Sequence, residues 1–489
     1  MPPVIAAVGI AAVGAIAGVA LGAITVGSAL VSVGVTALTA GASYLLAPKI
    51  KASSAVDASE APQAAPANQA RTITSRQATP LRRFAYGRVK TGGALFFEDN
   101  ANPYLYQGYA LSDGVIGGFV NVYFGDVLIP LVDTYGYGNY FDAAGGSIYE
   151  GNFVLEFRPG DRPSAYSTLL FAAFAPAVSN ETFRQEGVAK AVVQLNWGTD
   201  STEHNLLWGN SIQPLFLIEG MKVYDPRDGG QDADDPDTWE YSNNPALCLA
   251  HALTNMWWAA IDPDFIDWDA VGDAADVCDA TVTYNGEPYA RFQLSGIFQA
   301  GFDVPTQVAD MLSSFGGALY YSDGLYKIRA DEDTASVWTI EDADILGIGE
   351  FVAEGDTVST PTAIRAKYFD QQDEGDENIS PVYESALVAT EGYREKTINV
   401  PFCSQNHSAQ ILAFRHLAYA QDGRAVNLTL RDCAIYLEPF DVVMISSETA
   451  PFLNGDYRVM QVDLVDQGVA VTLQGRPSGA YAAESTYLQ

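Results

Sequence analysis

The residues able to do chemistry are few and scattered. The four histidines are His204, His251, His407 and His416. His251 and His416 fall in helical patterns, where an imidazole suits a core or an interface better than a catalytic base. His407 follows Cys403 closely, but two such residues near each other in sequence are weak grounds for a Cys–His nucleophile. Asp262, Asp264, Asp267 and Asp269 crowd into DPDFIDWD. Glycosidases set two carboxylates across a cleft, yet a chain with 60 acidic residues makes such clusters by chance. The Asp-rich run Asp225–Asp237 (DPRDGGQDADDPD) offers oxygens to a hard cation but lacks the EF-hand spacing. It reads as a solvated connector, with calcium as the alternative. Cys248, Cys278, Cys403 and Cys433 are far apart and form no C-x-x-C pair, which argues against a zinc ribbon or redox motif. Free buried thiols are expected, with a disulfide left open. No P-loop, H-E-x-x-H, G-x-S-x-G or strand-linked G-x-G-x-x-G is present. The expectation is a chain without catalytic residues, cofactor or metal.

Any partner must be sought in the elements that would carry such residues. The chain has 489 residues, 48% of them hydrophobic and 11% aromatic, including 26 Tyr and 23 Phe. That suits about three domains and a β-rich structure with interfaces. The formal charge of −34 repels duplex DNA, which argues against a groove-reading or wrapping DNA binder. Such a surface fits simple solubility, a salty medium, or a conduit wall that must not grip a passing polyanion.

The first 48 residues carry no charged side chain. They are longer than the ~20 apolar residues that cross a bilayer, and they lack the basic start of a secretory signal. Gly14, Gly18 and Gly22 recur every fourth residue, so a helix there would offer a smooth face for close packing against copies of itself. Three readings stay open: burial inside an oligomer, storage before insertion into a bilayer, and a permanent anchor. A small-residue, proline-bearing linker covers 49–70. Next comes a basic cluster, Arg71, Arg76, Arg82, Arg83, Arg88 and Lys90, which stands out against the acidic background. It could dock on an acidic neighbour or be an ordinary solvated loop and strand.

Beyond residue 91, alternating segments such as Ala94–Phe97, Gly118–Phe124 and Gly151–Phe157 predict strands separated by Gly and Asn turns. The loop Thr134–Phe141 (TYGYGNYF) could show aromatic faces to a receptor or sugar. Asn243, Asn244 and Pro245 predict a helix start. Val304, Val308, Met311, Leu312 and Phe315 mark one helix face closed by Gly316-Gly317, and ALYY-SDG-LYKIR predicts a hairpin after it. Ser404–Ala420 predicts a helix, and Val426–Leu430, Val442–Ile445, Tyr457–Val462 and Val469–Leu473 predict strands. The organisation expected is a hydrophobic helical segment at 1–48, a linker at 49–70, a β-rich domain at 71–224, an α/β domain at 225–350 and a barrel-like domain at 351–489. The fold class expected is α+β, predominantly β, with several small barrels or sandwiches and a few helices.

Several stretches carry a resemblance. They are ALSDGVIGGFVNVYFGDVLI (110–129), GMKVYDPRDGG with DPDTWEYSNNPALCLAHALTN (220–255), IDWDAVGDAADVCDA (266–280), VPTQVADMLSSFGGALYYSDGLYKIRAD (304–331), INVPFCSQNHSAQILAFRHL (398–417) and LEPFDVVMISS (437–447). In this order they resemble the central hub of long-tailed phages, the lambda-type J protein family. The resemblance runs roughly from Arg71 to Arg476. The last motif has Phe440 where the family commonly has glycine, a departure expected to shift one turn.

The resemblance implies a trimeric hub of small domains closing the tail tube in the virion. It implies contacts with the distal tail protein, other tail-tip hub proteins, the tape measure protein and receptor-binding fibres. Such a hub opens for genome ejection. The chain stops soon after the hub motifs, so receptor recognition is expected of a separate protein. On this reading, residues 1–48 plug the lumen, touch the tape measure protein or enter the host membrane, and DNA passes without specific binding. The alternatives are a membrane-anchored surface adhesin and a cell-wall hydrolase.

Overall fold

A computed structural model describes residues 74–488, apart from 77–79, 126, 135–139, 165, 179–182, 198–207, 209–212, 256–258, 301–302, 354–359, 371–375, 381–382, 385, 478 and 482–487. Residues 1–73, with Gly14, Gly18, Gly22 and Arg71, lie outside the described residues.

Two sheets form the first layer pair. One has the order Ala94–Ala101, Tyr104–Asp113, Val188–Asn196, Phe153–Arg158, Tyr140–Ala143, Leu131–Asp133, all antiparallel. The other centres on Pro214–Val223, flanked by Ile116–Phe124 and Arg88–Thr91. Alternation sends Tyr109, Leu155, Phe157 and Val193 from the first sheet onto Val122, Phe216 and Ile218 of the second. Aromatic contacts tie the layers together, with Tyr109 and Phe216 at 5.4 Å and Phe124 and Phe153 at 5.8 Å. The outer face of the first sheet, at Tyr106 and Val192, is covered by helix α1 (Thr168–Phe174). The Glu156 carboxylate, 1% exposed, accepts from the Thr168 and Leu169 N–H groups and from Ser167 Oγ at that helix's start.

Gly87 explains how one basic segment serves two sheets. Its φ of +64° and the Leu294 carbonyl against it leave no room for a Cβ. The kink lets Arg83–Tyr86 pair with Gly296–Gln299 while Arg88–Thr91 pairs with Pro214–Val223.

Helices α2 (Pro245–Thr254), α3 (Trp268–Asp279) and α4 (Val304–Ser313) continue the same core. Asn244 caps α2, accepting from Ala246 N–H and donating to the Ala275 carbonyl, with Pro245 at the first helical position. Val308, Met311 and Leu312 are buried along the predicted face, Val304 is half-buried, and Phe315 is buried just beyond the helix end. The hairpin Ala318–Ser322/Leu325–Arg329 turns through Asp323 (φ 53°) and Gly324 (φ 90°), the positive-φ pair of a tight hairpin turn. Ala363–Asp370, parallel to Glu395–Asn399, and helix α5 (Asn406–Asp422) also join this large core.

A second core belongs to a six-stranded sheet in the order Trp338–Glu341, Val442–Ser446, Gly455–Val465, Gly468–Gly475, Ala425–Leu430, Ile345–Val352. Ile340, Leu428, Val443, Tyr457 and Val471 fill it. It takes in two strands from before residue 351, while the 363–370 strand and α5 pack with the larger core. The architecture is α+β and predominantly β.

Phe440 sits in a tight turn. Asp441 N–H donates to the Glu438 carbonyl at 3.0 Å, and Phe440 adopts φ 72°. It holds the left-handed conformation that glycine takes freely at the third position of a turn whose second residue is proline. Its ring is 4% exposed, packs with Ala318 and Tyr320, and lies 4.5 Å from the Arg458 guanidinium. Ring burial and the cation contact offset the strained backbone.

Candidate functional site

The two cores meet along a charged seam. From the hairpin, Lys327 Nζ reaches Glu438 Oε1 at 2.6 Å and Arg329 Nη1 reaches Asp441 Oδ1 at 2.8 Å. Tyr320 OH donates to Glu438 Oε2 at 3.0 Å. Both carboxylates stand at the Phe440 turn, so that turn receives the hairpin.

Past the hairpin the chain delivers Asp331 into the seam, 4% exposed. Arg458 of the six-stranded sheet lies 3.0 Å from it, and Tyr481 OH donates to it at 2.5 Å. Arg415 of α5 donates to the Asp331 carbonyl at 2.7 Å and approaches its carboxylate at 3.9 Å. Rings complete the packing. Arg458 sits over Tyr419 at 4.2 Å, and Arg415 over Tyr481 at 5.0 Å and Phe292 at 5.7 Å. At the rim Arg476 pairs with Asp333 at 2.5 Å.

Arg458 and Tyr481 are held in fixed charge states. Burial opposes the Arg458 charge, but Tyr419 and Asp331 outweigh it and raise its pKa. Burial, then Asp331, raises the Tyr481 phenol far above its ordinary value. Neither would exchange a proton near neutral pH, so the seam is suited to joining two bodies, not to acid–base chemistry.

The basic cluster is dispersed over the first sheets. Arg76 approaches Glu98 at 3.6 Å, and Arg82 pairs with Asp113 at 2.6 Å, both near the surface. Arg83 Nη1 donates to the Gly93 carbonyl at 3.4 Å, and burial lowers its pKa. Arg88 is half-buried opposite Glu219, and Lys90 is buried with Nζ 4.6 Å from the Tyr123 ring centre. Strand pairing therefore turns Lys90 inward.

The remaining candidates serve structure. His204 and loop residues 135–139 lie outside the described residues. His251 meets Tyr86 OH at 2.8 Å and stacks edge-on against Tyr86 and Trp239. Cys403 and His407 do not form a pair: the thiol faces the Gln405 carbonyl and the imidazole Nε2 faces the Ala290 carbonyl. Burial pushes the Cys403 thiol up to about 12, which removes the nucleophilic thiolate. Asp262 and Asp267 cap the 263–265 turn and α3 through the N–H groups of Asp264 and Ala270. In the Asp-rich loop, Arg227 binds Asp225, Asp276 and Asp279, while Asp228, Asp232 and Asp235 accept from N–H groups two residues ahead. Among the described residues no three His, Cys, Asp or Glu side chains converge as a metal set. All four cysteines are free, and Cys433 corrects the expectation of burial, because it is exposed.

Asp331, Arg415, Arg458 and Tyr481 were not singled out in the sequence. Their one signal is arginine within apolar-alternating segments, at RVMQV and LAFRHL.

Residues 306–462 match the model of a family described as "Putative phage tail protein". That stretch begins in α4 and includes Asp331, Arg415, Phe440 and Arg458, hence both sides of the seam. Among solved structures, the chain is similar to one from the virion of a native gene transfer agent particle, at 15% identity and a TM-score of 0.58, covering 99% of both chains. It also matches a tail protein from Neisseria meningitidis MC58 (12% identity, TM-score 0.31, 83% of this chain and 94% of that one). A 43 kDa tail protein of prophage MuSo2 from Shewanella oneidensis matches at 11% identity and TM-score 0.28, covering 82% of this chain and 100% of that one. No curated protein matches. The segment 306–462 is thus similar to a phage-tail family, and the fold is shared with a chain of a gene transfer agent virion.

Proposed function

We propose that this chain is a structural, non-enzymatic component of a virion, the hub that closes the distal end of a tail tube and opens for genome ejection. The observation that carries the reading is the phage-tail match across 306–462, which contains the seam joining the two cores. The −34 charge supports a wall that lets DNA pass without gripping it. In this reading three copies surround the axis, each built from the larger core and the six-stranded sheet joined at the seam. The distal tail protein, other tip proteins, the tape measure protein and fibres dock around them. Residues 1–48, with Gly14, Gly18 and Gly22 on one face, meet on the axis as a plug or enter the host membrane. Arg76 and Arg82 are the exposed members of the basic cluster among the described residues, each paired with an acid, Glu98 and Asp113.

Removing the gene from the producing phage tests this. Tails that fail to close or assemble at the tip, with DNA delivery lost, are expected. Complete, infective tails without the chain would overturn the proposal.

A further inference from the structure

One end of the six-stranded sheet is apolar and uncovered. The Gly455–Val465/Gly468–Gly475 hairpin has its tip there. Leu430 pairs with Val469 and Ile345 pairs with Leu430, so the neighbouring strands end at the same level. The short helical turn Asp432–Tyr436 follows directly. Along the hairpin, Val462 and Leu464 oppose the buried Val471 and Val469. Leu464 thus continues the core-facing row of its strand, yet is 73% exposed. Val465 is beside it, and Leu346 lies over the Gly468 turn, where an added Cβ would stand 3.0 Å from Leu346 Cδ1. Ile435 and Tyr436 flank the same end, Tyr436 at 87% exposure, while Ala434 between them and Cys433 anchors the turn in the core. Exposed apolar residues grouped at one end of a sheet mark an interaction site more often than isolated ones do.

The rim identifies the occupant. Asp432, Asp463 and Asp466 are exposed around this end and Asp344 is half-buried there, and among the described residues of segments 344–346, 431–436 and 462–468 Arg431 is the one cation. The same end of a second copy, docked symmetrically, would bring these acids against acids. We infer that this end of the sheet, Leu346, Ile435, Tyr436, Leu464 and Val465, is a docking surface for a different protein that presents an apolar centre ringed by Lys or Arg. Tyr436 and Leu464 are its anchors, and the aspartates set orientation and association rate. The inference rests on the virion reading above.

Cys433 supplies the test. It is exposed beside Tyr436, whereas Cys248, Cys278 and Cys403 are buried. A polar maleimide is applied to the purified full-length chain and to intact particles. Labelling of the free chain at Cys433, with protection of about tenfold or more in the particle, is expected. Asp463→Lys with Asp466→Lys, both at exposed sites, should slow incorporation into particles about tenfold while leaving the free chain's melting temperature unchanged. Equal Cys433 reactivity in the free chain and in a particle that contains the chain would overturn the docking surface alone. Bridging of two copies through Cys433 by a short bismaleimide would overturn the choice of a basic partner. Absence of the chain from particles on immunoblotting would instead overturn the virion reading beneath it.

Discussion

Arg458 and Asp331 meet 3.0 Å apart, both nearly fully buried, although one belongs to the six-stranded sheet and the other to the chain leaving the 318–329 hairpin. Arg415 and Tyr481 approach the same carboxylate, so Asp331 is the anion on which the seam converges.

Asp331→Asn removes that anion and leaves Arg458 and Arg415 facing each other in a buried space. The expected loss is about 3–5 kcal/mol, read by urea unfolding. Asp333→Asn, at the exposed partner of Arg476, should cost less than about 1 kcal/mol. Equal effects would show that burial does not set the strength of this seam.

Phe440 gives a prediction with an unusual sign. Phe440→Ala loses ring burial and the Arg458 contact but keeps a Cβ at φ 72°. Phe440→Gly loses the same contacts and frees the backbone. Both variants should be less stable than the parent by about 2–4 kcal/mol, with glycine above alanine by roughly 1 kcal/mol. Thermal melts of the three proteins would check the order.

The pH dependence follows from His251 and His416. Burial lowers both imidazoles to about 4, with Lys396 and Arg458 adding to the shift at His416. A depressed folded pKa means the unfolded chain takes up protons first. Stability from these groups is present above about 6.5 and is lost as pH falls toward 4, by about 2 kcal/mol each at pH 5. Asp310, raised to about 6 by burial, acts oppositely and offsets part of the loss. The His251→Gln, His416→Gln double variant should therefore show a shallower fall in urea midpoint between pH 7 and 5 than the parent. An unchanged slope would contradict the assignment.

Asn244→Ala removes both the α2 cap and the donor to the Ala275 carbonyl, for about 2 kcal/mol. Asn244→Asp, which keeps the acceptor alone, should fall between the two on denaturant titration.

Legibility in the sequence followed the range of the interaction. Asn244-Pro245, the spacing of Val304 to Phe315, and Asp323-Gly324 each encode an element through neighbours a few residues away, and each forms as read. The seam depends on contacts remote in sequence, such as Arg458 with Asp331 and Lys327 with Glu438, and charge spacing gives no sign of them. The basic cluster shows the same limit. Six cations in a row suggested a docking face, but the Gly87 kink and two different strand pairings send Lys90 inward and leave Arg82 outside. Phe440 is a third case: proline before it and aspartate after it specify the turn strongly enough that a phenylalanine occupies a glycine conformation.

The central claim is a place in a particle. The most direct measurement is electron microscopy of purified virions carrying a label at the C-terminus of this chain. The account predicts three labels at the distal end of each tail. Labels along the tube, at the head, or in host membrane with none on particles would contradict it.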